Sequence, residues 1–170
     1  LKANGKLLVE GRKGVIIGGK TCAKLGVSCN GIGNIAEIAT VVSVGIDKED
    51  MTAYQELQKK IEQTQAELQT CENGLNKLMA NPVHDEKVSM MIQRLTRAVY
   101  TLKSSRKELF SERNAQMEQM TKQKEARIQV SGRAYPGTLL FLNEDPFAIK
   151  EIYNNVEFVK HDNRIDTLAH

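Results

Sequence analysis

Aromatic side chains are scarce in this 170-residue chain: four Tyr, four Phe and no Trp. A large aromatic-lined core is not expected, so Leu, Ile, Val and Ala must supply the buried surface. Cysteine is also sparse. Cys22, Cys29 and Cys71 are an odd number without a CxxC pair, which argues against a disulfide framework and for a reducing, cytoplasmic setting. No apolar run approaches the ~20 residues of a membrane-spanning helix and no leader-like segment opens the sequence, so no membrane insertion is expected. The net charge of +3 is too small to imply nucleic acid or a lipid surface by itself. The chain starts at Leu1 rather than Met, as expected of a piece of a longer protein.

What the sequence does contain is a heptad-patterned stretch over roughly residues 50 to 127. Tyr54, Leu57, Ile61, Thr64, Leu68, Cys71, Leu75 and Leu78 recur at alternating spacings of three and four. A 3.5-residue repeat keeps one stripe of a helix against a partner helix. The spacing predicts a first helix from about Asp50 to Ala80. Asp47, Glu49 and Asp50 suit its start, where the helix dipole favours anions. Asn81-Pro82 ends it, because proline has no N–H and disfavours the helical conformation of the residue before it. A second helix is predicted from about Asp85 to Arg127, with Val88, Ile92, Leu95, Val99, Leu102 and Leu109 as its stripe. Beyond Leu109 the stripe is expected to drift onto Phe110, Met117 and Met120, leaving Arg113 and Gln116 on the old register. So short a linker makes the helices antiparallel.

The two arms differ in charge. Residues 50 to 80 carry five acidic and three basic side chains, and residues 88 to 127 carry nine basic and four acidic ones. This reads first as complementary flanks of one intramolecular pair. The alternative is a basic arm that touches nucleic-acid phosphates, which the lack of stacking aromatics counts against (Tyr54, Tyr100 and Phe110 are all there is).

The flanks are different in kind. Residues 1 to 46 are punctuated by nine glycines, with short apolar pieces at Lys6–Val9, Val15–Ile17, Val27–Cys29 and Thr40–Val44. Val42, Val44 and Ile46 alternate with Ser43 and Gly45, as a half-buried strand should. Short strands with glycine corners predict a β-solenoid, each turn stacked on the last. After the helices, residues 126–132 and 137–142 read as two strands joined by a Tyr135-Pro136-Gly137 turn, and Val156–Lys160 as another. Phe147–Lys160 is expected either to cap the end of the stack or to meet a second copy.

Two motifs imitate nucleotide sites. Gly14-Val-Ile-Ile-Gly-Gly-Lys20-Thr21 satisfies the phosphate-loop pattern GxxxxGK[ST], whose chemistry needs backbone N–H groups curled around phosphates and a helix starting at the lysine. The following run, Cys22 to Gly33, holds three glycines and cannot supply that helix. Gly31-Ile-Gly33-Asn-Ile-Ala36 imitates a dinucleotide fingerprint, but no βαβ unit of ~30 residues fits around it. Glycine corners explain both better. Cys22 and Cys29 read as inward positions of the stack, and His84-Asp85 and His161-Asp162 as loop pairs without a third metal ligand nearby. No catalytic, cofactor-binding or metal-ligating residue is assigned, and no cofactor is expected.

The sequence resembles the flagellar assembly protein A family. The resemblance rests on Gly14-Val-Ile-Ile-Gly-Gly-Lys20, on Thr40-Val-Val-Ser-Val-Gly45 directly before the helical stretch, and on Gly132-Arg-Ala-Tyr-Pro-Gly137-Thr-Leu-Leu-Phe directly after it. It implies a right-handed β-helix carrying a helical hairpin, a cytoplasmic bacterial protein linked to flagellar assembly and motility, and a further N-terminal region. It supplies no catalytic residues. The expected class is α+β: a right-handed β-helix (β-solenoid) formed by residues 1–46 plus 128–170, with residues 47–127 inserted as a long antiparallel coiled-coil hairpin. The expected role is a non-enzymatic scaffold or adaptor with one or more protein partners and homo-oligomerisation as a further mode of association. The alternative is nucleic-acid binding through the basic second helix.

Overall fold

In strand β6 (Thr40–Val44) the side chains of Thr40, Val42 and Val44 are buried while Val41 and Ser43 are half-buried. Strand β8 (Thr138–Leu142) repeats this pattern and lies parallel on β6, with Val42 opposite Leu140 and Val44 opposite Leu142. On the other side of β6 lies β4 (Gly19–Ala23), also parallel, Thr21 opposite Val42 and Ala23 opposite Val44. The computed structural model describes residues 1–11, 13–80, 82, 85–162 and 164–169. Its first sheet has the order β1-β4-β6-β8-β9, where β1 is Lys2–Ala3 and β9 is Asp145–Ala148.

The second sheet collects β2 (Leu7–Val9), β3 (Val15–Ile16), β5 (Val27–Ile32), β7 (Ile128–Ala134), β10 (Tyr153–His161) and β11 (Arg164–Ala169). From β1 to β8 the chain passes back and forth between the two sheets, and every pairing among these strands is parallel. Equivalent positions therefore fall into columns. Leu7, Val27, Ile128 and Phe158 form one, and Val9, Cys29, Val130 and Val156 another. The inward columns of both sheets merge into a single apolar cluster. Each of its large side chains contributes about 1.5–3 kcal/mol by leaving water.

The parallel run stops at its C-terminal end. β9 is antiparallel on β8, β10 antiparallel on β7, and β11 antiparallel on β10. The Phe147–Lys160 segment thus adds the second half of β9 and most of β10 to the two sheets. Three of the eight aromatic rings meet here. Phe147 and Phe158 are 5.5 Å apart between centroids, Tyr153 and Phe158 5.7 Å, and tilted contacts of this kind add about 0.5–1.5 kcal/mol each beyond burial. β1, β4, β9 and β11 are strands the sequence did not announce.

Two long helices complete the chain, α1 (Lys48–Met79) and α2 (Glu86–Lys124). Asp47 caps α1: the Asp50 N–H donates to its Oδ1 at 3.0 Å, and the Asp47 N–H donates back to Asp50 Oδ2 at 3.3 Å. This reciprocal pair satisfies two otherwise unpaired N–H groups. Asp85 caps α2 by accepting the Val88 N–H at 2.8 Å. Asn81, expected at the turn with Pro82, lies outside the described residues. Arg106 Nη1 donates to Gln65 Oε1 at 2.8 Å and Lys103 pairs with Glu72 at 2.8 Å. Further toward the linker, Leu95 lies against Gly74. Residues rising on α1 meet residues falling on α2, so the helices run antiparallel.

On α1 every position of the expected stripe is buried or half-buried, with Leu57, Ile61 and Leu68 fully so. On α2 the drift expected after Leu109 does not occur. Leu109, Arg113, Gln116, Met120 and Gln123 continue the alternation of four and three and are half-buried or buried, while Met117 stays 47 % exposed. The long stems of Arg and Gln cover apolar surface as methylenes do, leaving polar heads at the edge. The Arg113 guanidinium lies over the Phe110 ring at 4.6 Å.

Tertiary contacts divide the chain into two units. Leu1–Met51 with Glu118–His170 holds both sheets, and Thr52–Met117 holds most of the helical pair.

Candidate functional site

The phosphate-loop look-alike is used up by strands. Val15 and Ile16 form β3, and Gly19 to Ala23 form β4, so Lys20 and Thr21 stand in an extended strand rather than at a helix start. Thr21 is buried and Lys20 exposed, pointing away from one another as strand neighbours must. The Gly18 N–H, of the kind such a loop turns toward its ligand, donates to Thr40 Oγ1 at 2.9 Å. Gly14 is required for another reason: a Cβ there would lie 2.3 Å from the Val9 carbonyl oxygen. The dinucleotide look-alike fares similarly. Gly31 and Ile32 end β5, the Gly33 N–H donates to the Ile16 carbonyl at 2.8 Å, and residues 34–39 form an irregular turn rather than a helix.

The other single residues are also placed. Cys29 is an inward position of β5; burial pushes its thiol up to about 12, so it is inert near neutral pH. Cys22 and Cys71 are half-buried, and all three cysteines are free. His161 and Asp162 make the β10–β11 turn, and His84 lies outside the described residues. Among the described residues no three His, Cys, Asp or Glu side chains stand close enough to hold a metal ion.

Among the described residues, two grooved surfaces bear on function. The first is an open groove of about 680 Å³ between the outer face of the first sheet, at Cys22, Ser43 and Phe141, and the first turn of α1. Lys2, Lys24, Asp47 and Glu49, which line it, are engaged in ion pairs. Lys24 pairs with Asp50 and, at 3.9 Å, with Asp47, and Lys2 pairs with Glu49 at 3.0 Å. Burial pushes the Asp47 carboxyl up, but the Asp50 N–H and the nearby Lys24 and Lys2 ammoniums outweigh it and hold the group below its ordinary range. Asp47 also occupies the helix N-terminus where an anionic ligand would bind. These ion pairs fasten the start of α1 to the first sheet.

The second surface is the helical pair itself. Between α1 and α2 a shallow groove of about 660 Å³ is lined by Ala66, Thr70, Cys71, Ala98, Thr101 and Leu102. Along α2, Met90, Met91 and Tyr100 are 51, 55 and 77 % exposed, beside exposed Arg94 and Arg97. This combination of apolar ends and guanidinium groups is what protein-binding surfaces are enriched in. Residue-by-residue reading of the sequence noticed the basic character of α2 but not these methionines, which precede the stripe residue Ile92 by two and one positions. It also missed Asn143 and Gln123. Asn143 Oδ1 accepts the Ile46 N–H at 2.9 Å and its Nδ2 donates to the Lys124 carbonyl at 3.1 Å. Gln123 is buried, and its Oε1 has no partner among the described residues.

A family model described as the Flagellar Assembly Protein A beta solenoid domain matches residues 1–165. No curated protein and no solved structure matches the chain.

Proposed function

Since the chain belongs to the flagellar assembly protein A family, matched in its beta solenoid domain, we propose that it acts as a non-enzymatic scaffold or adaptor in flagellar assembly and motility, through contacts with other proteins. In this reading the two sheets are faces of a right-handed β-helix made by residues 1–46 and 128–170, its successive turns adding strands to both, and residues 47–127 are an antiparallel coiled-coil hairpin inserted into it. The reading places the protein in the cytoplasm, consistent with three free cysteines. No helix among the described residues is long and apolar enough to cross a membrane.

One observation carries the proposal. The stripe of α2 keeps its four-three alternation from Val88 to Gln123 without a break, even where Arg and Gln must occupy it. Holding helices of 32 and 39 residues in one register presents a long rigid surface, which serves recognition rather than catalysis. The test replaces residues 52–117 by a short Gly-Ser linker in the source cell. Cooperative unfolding of the purified variant checks that the sheets are intact. Loss of swarming and of assembled flagella is expected, and normal motility would remove the helical pair from the function.

The acid-free run of α2 favours a second reading, nucleic-acid binding through that helix. It predicts a gel shift at low salt that weakens steeply as salt rises, and no shift at low salt excludes it.

A further inference from the structure

From Lys87 to Lys107 the sequence holds six basic residues and no Asp or Glu. Two of the six are engaged across the helical pair, Lys103 with Glu72 and Arg106 with Gln65. Lys87, Arg94, Arg97 and Lys107 are exposed and have no ion pair among the described residues. Lys87, Met90, Arg94 and Arg97 follow one another at spacings of three and four, on the side of α2 turned away from its stripe at Val88, Ile92, Leu95, Val99 and Leu102. Met91 and Tyr100 flank this row, and with Met90 they are the large apolar groups it exposes.

We propose that this face of α2 docks a short acidic, amphipathic segment of a partner protein, whose carboxylates pair with Arg94 and Arg97 and whose apolar side chains rest on Met90, Met91 and Tyr100. The proposal rests on the adaptor reading and names the chemistry of its partner. Arginine forms two-pronged hydrogen bonds with carboxylates, and methionine and tyrosine supply adaptable and rigid apolar contact respectively. Neither kind of group accounts for the other, and both occur in one exposed row.

The occupant is a protein segment rather than a polyanion because the row is not purely basic. Met90 stands in it and Met91 and Tyr100 beside it, all exposed, and a run of phosphates covers none of that apolar surface, whereas an amphipathic segment covers it while its carboxylates pair with the arginines. On α1 the run Ile61–Asn76 carries Glu62, Glu67 and Glu72 and no basic residue, so a polyanion wide enough to reach both helices also meets like charge. A short segment lies on α2 alone.

The experiment is selection of a random peptide library on the full chain, with a pooled oligonucleotide library and anionic vesicles as parallel arms. Enriched peptides are expected to carry Asp or Glu at three- and four-residue spacing with apolar residues between. Their binding should weaken about tenfold or more in Arg94→Glu/Arg97→Glu, and also in Tyr100→Ala, with the helical spectrum of both variants unchanged. Four results each overturn the proposal: no enrichment, enrichment without acidic bias, equal binding by the charge-reversed variant, or stronger retention of oligonucleotides or vesicles. Light scattering that finds a dimer abolished by the same charge reversal overturns it too, by assigning the face to a second copy. If the linker variant loses motility while the peptide result is negative, the adaptor reading stands and only this face is wrong.

Discussion

Replacing Gly45 with alanine should cost the fold about 3–5 kcal/mol, and the reason is local enough to dissect. Gly45 follows β6 with φ +90, a region that costs an L-residue about 1–2 kcal/mol. A Cβ on it would lie 2.0 Å from Asn143 Oδ1, 2.8 Å from Asn143 Cγ and 3.0 Å from the Gln123 carbonyl oxygen. The Asn143 carboxamide must move, and it then loses the Ile46 N–H at 2.9 Å and the Lys124 carbonyl at 3.1 Å. Each such bond contributes about 1 kcal/mol net, and up to ~3 where a buried partner is left unmatched; Ile46 is only 8 % exposed. Against a total stability of about 5–15 kcal/mol this is a severe loss. Urea unfolding followed by circular dichroism should show a lower midpoint with an unchanged slope. The decisive comparison is a double-mutant cycle with Asn143→Gly. In that background the collision with the carboxamide is gone and only the 3.0 Å approach to the Gln123 carbonyl remains, so Gly45→Ala should cost little beyond the backbone part, about 1–2 kcal/mol. A cost under ~1 kcal/mol in the native background, or equal costs in both, refutes the reasoning.

Three further outcomes are expected. Gly74, inside α1, has room for a methyl group, since its Cβ would meet only Leu95 Cδ1 at 3.6 Å; Gly74→Ala should stabilise the chain by about 0.5–1 kcal/mol by restoring helix propensity, and a fall in midpoint would show the helices to be packed more tightly there. Asp47 has a carboxyl held below its usual range, so its ionised form stabilises the fold fully above the unfolded value near pH 4, and that contribution is lost as pH falls through the lower folded value. Asp47→Asn keeps a good helix cap and should flatten this acid limb of an unfolding-versus-pH series; an unchanged limb means other carboxylates carry it. Cys29, with its thiol pushed up to about 12 by burial, should resist thiol reagents at neutral pH until the protein unfolds, so mass mapping after brief native labelling should find adducts on Cys22 and Cys71 before Cys29.

How much of this was legible in the sequence depended on whether the signal was periodic. The stripe from Tyr54 to Leu78 was readable because every position is apolar or small and the spacing never slips. Arg113 and Gln116 hid the same continuity on α2, because a polar label says nothing about a side chain whose stem is buried and whose head is not. β6 and β8 were readable from alternation; β4 was not, since Gly18-Gly19-Lys20-Thr21 looks like a loop and becomes a strand only through its ladder to β6. The nucleotide-like patterns were local coincidences, and the structure shows the Gly18 N–H and the space at Gly14 already taken by the protein itself. The exposed row on α2 was half legible, its charge from composition but its methionines only from exposure.

The least legible feature, the Gly45–Asn143 contact, also explains how the chain can leave and re-enter the sheets. Val44 and Leu142 are register partners, so Gly45 and Asn143 are equivalent positions at the ends of neighbouring parallel strands. At the first of them the backbone departs toward α1. At the second the backbone turns, Asn143 at φ +51, and its N–H donates to the Val44 carbonyl at 2.9 Å. The same residue's carboxamide then bonds the departing backbone at Ile46 and the returning backbone at Lys124. One asparagine thus satisfies both ends of a 77-residue excursion from the position directly stacked on its start. No pattern within either segment reveals this, because the partners lie 97 residues apart. It follows from the register: an excursion can be accommodated where the neighbouring strand offers a short, two-sided hydrogen-bonding side chain, and where the departing residue has no Cβ to block it.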